Sequence, residues 1–237
     1  MNNTATPLRL IGACTALLVA SACTMNAPIA NAQDKLTLFD GNTLDGWTVT
    51  AENPDSFRVE DGAIIAEGPR AHLFYDGEHG TEFTDFELSL KVMTQPGANS
   101  GVYFHTSYQA EGWPSIGLEA QVNATQYDFR KTGSLYAIAD VRVYATDSEV
   151  PALGFDSNAY VTRDAAPHPD QEWFDYVIRV EDGTVTTRVN GELLVQWKQP
   201  DDWANPDIRL SSGTFALQAH DPDSRGHYKD TVVRKLD

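Results

Sequence analysis

The chain has 237 residues, with 17 Lys or Arg against 34 Asp or Glu and a formal net charge of −17. This balance argues against nucleic acid or an anionic lipid surface as a partner, since both need a basic footprint. It suits a neutral ligand such as a sugar, a bound divalent cation, or simple solubility in a saline or envelope environment.

In chain order, the first feature is an export leader. Arg9 precedes the uncharged run LIGACTALLVASA, which is too short to remain in a bilayer as a spanning helix. ASAC at 20–23 has the form of a bacterial lipobox, making 1–23 the signal and Cys23 a lipidated first residue, whereas ANA at 30–32 fits ordinary cleavage after residue 32. The apolar run ends at Cys23, which favours the lipoprotein, with 24–34 as linker. The expected location is the bacterial cell envelope, periplasmic or anchored to the outer membrane, with that lipid as the only membrane attachment. Cys14 and Cys23 both fall in the leader, so the folded part, 35–237, holds no disulfide and rests on its core. Roughly 200 residues suffice for one domain.

From there the pattern is strand after strand. FRVEDGAII (57–65) turns on Asp-Gly, and FTDFELSLKVMT (83–94) alternates apolar with polar residues. SGVYFHTSY, IGLEAQVN and SLYAIADV follow. The stretch around 147–172 is Pro- and Asp-rich and reads as a surface excursion bordering a groove. DYVIRVEDGTVTTRVNGELLVQW (175–197) holds two hairpin turns, Asp182-Gly183 and Asn190-Gly191, before GTFALQAH and YKDTVVRKL. No helical stripe, internal repeat or low-complexity stretch interrupts. The fold class is therefore all-β, a two-sheet antiparallel sandwich.

Alternation places chemistry on one face. If Leu118, Ala120 and Val122 face the core, Glu119, Gln121 and Asn123 face away. The same rule sets Tyr103 and His105 opposite Val102 and Phe104, and Gln218 and His220 opposite Phe215, Leu217 and Ala219. On neighbouring strands these groups would make a patch able to read sugar hydroxyls, hold a metal or move protons. A merely solvated face would carry the same polarity, but it usually does so with Lys, Glu and Thr. Trp113, beside Pro114 in a loop, could stack on a pyranose ring. Trp47, Trp173 and Trp197 read as packing residues, and HDPDSRGH (220–227), with Asp221, Asp223 and His227, as a solvated turn without calcium-loop spacing.

The segments LFDGNTLDGW (38–47), NSGVYFHT (99–106), GLEAQVN (117–123), KTGSLY (131–136) and SGTFALQAHDPDS (212–224) resemble, in this order, the 3-keto-disaccharide hydrolase family. The resemblance runs from about Leu36 to the C-terminus. It implies a concanavalin A-like jelly roll, action on glycosides whose C3 hydroxyl has been oxidised to a ketone, and a divalent metal ion as a conditional cofactor, with no organic cofactor. Its motif positions here are Asn99-Ser100-Gly101, Glu119-x-Gln121 and Gln218-x-His220. Members often carry Arg at the position of His105 and Phe-Arg-Asn at Tyr228-Lys229-Asp230, so this chain departs at both places.

An ordinary glycosidase needs two carboxylic acids, and Glu119 alone is an evident inward one. A 3-keto sugar relaxes this demand, because its C2 proton is acidic and the C1 substituent leaves by β-elimination, water then adding to the enone. The chemistry asks for a base, an acid and a stabiliser of the enolate. The expected catalytic residues are Glu119, His220 and Lys229. Asn99, Tyr103, His105, Trp113, Gln121, Asn123 and Gln218 are expected to bind substrate, and Glu119 with His220 to hold any metal. Two other readings stand beside this one: a non-catalytic carbohydrate-binding module and a structural envelope lipoprotein.

Overall fold

Asp61-Gly62, Asp182-Gly183 and Asn190-Gly191 all take positive φ, between 49° and 81°, so each expected hairpin turns where left-handed backbone is required. The structure is a computed structural model and describes residues 35–143 and 159–236, together with Met1. The expectations for the leader, Cys23 and the linker, and for positions 147–158, lie outside the described residues.

The described strands in chain order are β1 (Lys35–Thr37), β2 (Trp47–Val49), β3 (Phe57–Glu60), β4 (Ala63–Glu67), β5 (Ala71–Tyr75), β6 (Phe86–Thr94), β7 (Asn99–Thr106) and β8 (Leu118–Asn123). They continue with β9 (Ala139–Val143), β10 (Ala159–Arg163), β11 (Phe174–Glu181), β12 (Thr184–Val189), β13 (Glu192–Lys198), β14 (Thr214–Ala219) and β15 (Arg225–Lys235). One sheet runs β13-β12-β11-β6-β15-β4-β3, with β1 on β15; the other runs β2-β5-β14-β7-β8. Their pairings are antiparallel, whereas β9 and β10 form a short parallel pair. The fold is thus the expected all-β sandwich.

Alternation explains the layers. β6 buries Phe86, Leu88, Leu90 and Val92 while half-exposing the residues between them. These meet Val102, Phe104, Leu118, Ala120, Val122, Phe215 and Leu217 from the second sheet in one core. Each Val, Leu or Phe side chain among them contributes about 1.5–3 kcal/mol on burial. Ser100 Oγ donates to the carbonyl of Gln218 and accepts from the Tyr228 hydroxyl, and Tyr228, on β15, is buried. This polar link ties the two sheets together behind the strands that carry the site.

Two expectations need correction. SLYAIADV is not one strand: residues 131–138 turn, Leu135 bridges both Ala120 and Ala139, and Ala137 takes φ +61° before β9 begins. The excursion 147–172 is also less free than its composition suggests. It contains β10, and His168 is buried, stacked on Phe174 at 3.7 Å and hydrogen-bonded to Thr132 Oγ1 at 2.6 Å.

Candidate functional site

The outer face of the five-stranded sheet carries a cleft of about 400 Å³, lined by Asn99, Tyr103, Trp113, Glu119, Gln121, Asp128, Tyr136, Gln218 and His220 among others. Register assembles its floor. Tyr103 stands opposite Glu119 across β7 and β8, and Gly101 opposite Gln121. On the other side of β7, Leu217 pairs with Val102, which sets Gln218 beside the bare position at Gly101.

Glu119 exploits that gap. A Cβ at Gly101 would lie 2.1 Å from Glu119 Oε1, so the carboxyl leans across β7 through space that only glycine leaves open. There Gln218 Nε2 donates to Glu119 Oε1 at 3.1 Å and to the Tyr103 hydroxyl at 3.2 Å. Burial pushes the Glu119 carboxyl up to about 7, partly countered by hydrogen bonds from Tyr103 and Gln218. Burial and the neighbouring Glu119 charge likewise hold the Tyr103 phenol well above its ordinary value, so it stays a neutral donor. Gln121 donates through Nε2 to Asn99 Oδ1 and to the Ser100 carbonyl, fixing the Asn99 amide at the cleft edge.

One wall is His220, whose side chain is 32% exposed. Its Nδ1 lies 2.7 Å from Asp221 Oδ2, which also accepts from Ser224 Oγ at 2.9 Å, and Ser224 Oγ in turn accepts from the Asn99 amide N–H at 3.0 Å. The Asp221 carboxyl is held below its ordinary range against the burial that would raise it, by the hydrogen bonds from His220 and Ser224. Its charge fixes the imidazole with Nδ1 protonated, leaving Nε2 as a lone pair. Trp113 forms the rim, 5.2 Å from the His220 ring and 42% exposed. The opposite wall is the loop 124–138, pinned from inside by Lys131 Nζ, which donates to the carbonyls of Gln126 and Asp128 at 2.7 Å each. Asp128 also lines the cleft, but its carboxylate pairs with Arg130 at 3.1 Å.

The expected residues Asn99, Tyr103, Trp113, Glu119, Gln121, Gln218 and His220 therefore do line one cleft. Three do not. His105 takes φ +53°, and the β14–β7 register slips between Thr214 and Ala216. This bulge breaks the two-residue period and turns the ring inward, edge-on to Phe86. Its Nε2 meets the Thr84 carbonyl at 2.9 Å and its Nδ1 accepts from the Ser211 amide at 3.1 Å. Asn123 faces as expected but is absorbed by the loop wall, its amide donating to the carbonyls of Asp128 and Arg130. Lys229 lies on β15 in the other sheet, its Nζ 4.0 Å from the centroid of Trp173. Of the packing tryptophans, Trp47 is buried and Trp197 stands edge-on to Trp203, as expected.

Sequence reasoning missed Asp128 and the role of Asp221, which had read as part of a solvated turn; its only signal was adjacency to His220. Among the described residues no three His, Cys, Asp or Glu side chains converge as metal ligands. One imidazole with one carboxyl falls short of the set a divalent ion takes, so no step is routed through an ion here.

Comparison with known proteins bears on this cleft. A 3-keto-disaccharide hydrolase of Bacteroides thetaiotaomicron is 25% identical over 178 residues, covering 70% of this chain and 59% of that protein, so the chain spans less than two thirds of its relative. A Parabacteroides distasonis crystal structure, assigned provisionally as a glycosyl hydrolase, superposes with a TM-score of 0.64 at 22% identity, covering 87% of this chain and 95% of that one. The carbohydrate binding module CBM66 of Bacillus subtilis superposes with a TM-score of 0.52 at 11% identity, covering 82% and 98%. These two likenesses concern the fold alone. The family model described as 3-keto-alpha-glucoside-1,2-lyase-like domain matches residues 34–234, and the chain belongs to that family.

Proposed function

We propose that this cleft cleaves 3-keto glycosides by elimination and hydration, a net hydrolysis. The observation that carries this reading is one cleft lined by both Glu119, a buried carboxyl that burial pushes up to about 7, and His220, paired with Asp221. His220 Nε2 takes the C2 proton, made acidic by the adjacent ketone, and Asp221 stabilises the imidazolium that forms. The electrons pass to the ketone oxygen, where the Asn99 side-chain N–H, steadied by Gln121, donates to the enolate. As the enolate collapses the C1–O bond breaks, and Glu119 gives its proton to the departing oxygen. Water then adds at C1 of the enone, losing its proton to Glu119, while His220 returns a proton to C2. Both side chains end as they began. Trp113 supplies an apolar face for the ring. Ordinary glycoside hydrolysis fits less well, because Asp128 is neutralised by Arg130 instead of standing free as a second acid or nucleophile.

The test is release of p-nitrophenol from its 3-keto glucoside and from the unoxidised glucoside, each with and without EDTA. Turnover of the keto form alone, persisting in EDTA, is expected. Glu119→Gln and His220→Ala should each lose about 10²–10⁴-fold. Near-parental turnover by both folded variants would overturn the assignment, and sugar binding without turnover that survives His220→Ala would identify a binding module. Export with lipidation at Cys23 belongs to the same proposal. Replacing Cys23 with Ala should release the protein from the membrane fraction.

A further inference from the structure

His72 takes no part in the steps above, yet it sits against the same cleft. It is a β5 residue paired in register with Gln218 on β14, so both side chains rise from the outer face of the sheet. Its relative exposure is 0%, and neither Nδ1 nor Nε2 has a hydrogen-bond partner. Aromatic rings surround it: Tyr103 at 5.3 Å, Trp113 at 5.6 Å and Phe74 at 6.2 Å. Across the strand, Gln218 commits its Nε2 to Glu119 and Tyr103 while its Oε1 is buried without a partner. Buried polar atoms are nearly always satisfied, and each exception asks for a reason. Here two exceptions are neighbours, one step from the carboxyl assigned to catalysis. Burial lowers the imidazole to about 4, so it is neutral and offers one N–H and one lone pair.

The cover over His72 is Trp113, whose ring rests on both His72 and His220 and carries the Arg70 guanidinium 5.3 Å from its centroid. Its loop is held to the turn after β2 through the Ala51 amide on the Ala110 carbonyl and otherwise by its own bonds. Gln109 bonds the carbonyls of Glu111 and Trp113 and accepts from Ser115. We propose that His72 and Gln218 Oε1 form a hydroxyl-reading niche, uncovered when Trp113 shifts onto the sugar ring, and that His72 sets which sugar the cleft accepts. A single hydroxyl meets both needs, donating its proton to Gln218 Oε1 and accepting the imidazole N–H. An apolar or deoxygenated ligand leaves both groups unsatisfied, the arrangement that discriminates best against an analogue lacking a hydroxyl. The inference rests on the keto-glycoside reading for its substrate.

The experiment compares the parent with His72→Phe, which keeps the ring and removes the nitrogens, on 3-keto p-nitrophenyl glucoside and its 4-deoxy and 6-deoxy analogues. The niche predicts a fall of about fivefold to tenfold in kcat/KM, carried mainly by KM. It also predicts that one of the two analogues, already poor for the parent protein, is no poorer for the variant. A purely structural His72 would lower all three substrates alike. Because the variant could fold badly, the parent's His72 ¹⁵N resonances are also followed while 3-keto-glucose, which has no aglycone to lose, is titrated in. A shift saturating with the Trp113 fluorescence change supports the niche; unmoved resonances overturn it, whatever the turnover. An active parent with an unchanged variant sinks this inference alone, whereas a parent inactive on every keto glucoside sinks the functional reading.

Discussion

Gly101→Ala isolates the placement of Glu119 from its chemistry. Gly101 lies within β7 in backbone that alanine adopts without strain, so the substitution acts through its one added carbon. That carbon would stand 2.1 Å from Glu119 Oε1, 2.8 Å from Cδ and 2.9 Å from Cγ, while ordinary contact begins at 3.4 Å. The carboxyl must therefore retreat by more than about 1 Å, away from Gln218 Nε2 and the Tyr103 hydroxyl. A displacement of this size costs about 10²-fold in rate when the group handles a proton in the transition state. Leaving the buried Gln218 and Tyr103 groups unpaired costs about 1–3 kcal/mol, a fall of several degrees in Tm for a domain this large. Steady-state kinetics on a 3-keto glucoside, with calorimetry on the same preparation, give both numbers. Combining the change with Glu119→Asp, shorter by one methylene, should recover part of the stability. Parental kcat/KM in the alanine variant would show that the position of Glu119 is irrelevant, and the acid assignment would fall with it.

The pH dependence of stability has a definite sign. Glu119 rises from 4.5 to about 7 on folding, so the native state holds its proton more tightly and stability drops as pH climbs between those values, by up to about 3 kcal/mol. Glu119→Gln should flatten that limb, read as urea midpoints at pH 5 and pH 8. His72 runs the other way: its folded value of about 4 lies below 6.5, so its contribution is complete above 6.5 and is lost as pH falls to 4. His72→Phe should remove this acid-side loss. As general acid, Glu119 must carry its proton, so kcat/KM should decline above pH 7 and should not rise through it. Lys229→Ala should leave kcat/KM within about twofold, because the ammonium sits over Trp173 on the other sheet; a tenfold loss would restore it to the mechanism.

The two-residue period was enough to put Tyr103, Glu119, Gln121 and Gln218 on one face, because a one-residue slip would drive these polar groups into the core and turn Val102, Leu118, Ala120 and Leu217 into the cleft. It failed at His105, where one left-handed residue inverts the phase and nothing in the letters GVYFHT announces a bulge. Lys229 failed for a different reason. Alternation assigns a face within a strand, not the sheet a strand joins, and β15 pairs with β6 and β4 instead of β14. His72 stayed hidden because AHLFY is apolar on both sides of the sheet, so a histidine there reads as one more core residue.

The position of β15 has a consequence for how the molecule comes into being. This last strand of the domain is an inner one, holding β6 on one flank and β4 on the other, with β1 paired along it. A nascent chain lacking it would leave β6 and β4 each with an unpartnered edge, and the two hairpin-built parts of the sheet, β3-β4 and β11-β12-β13, would stay unjoined. Such a sheet closes slowly, and only once β15 is available, because distant segments must meet before any pairing repays the closure. Until β15 docks, β4 and β6 each keep one edge open to a second chain, so the unfinished sheet is the form most prone to aggregate.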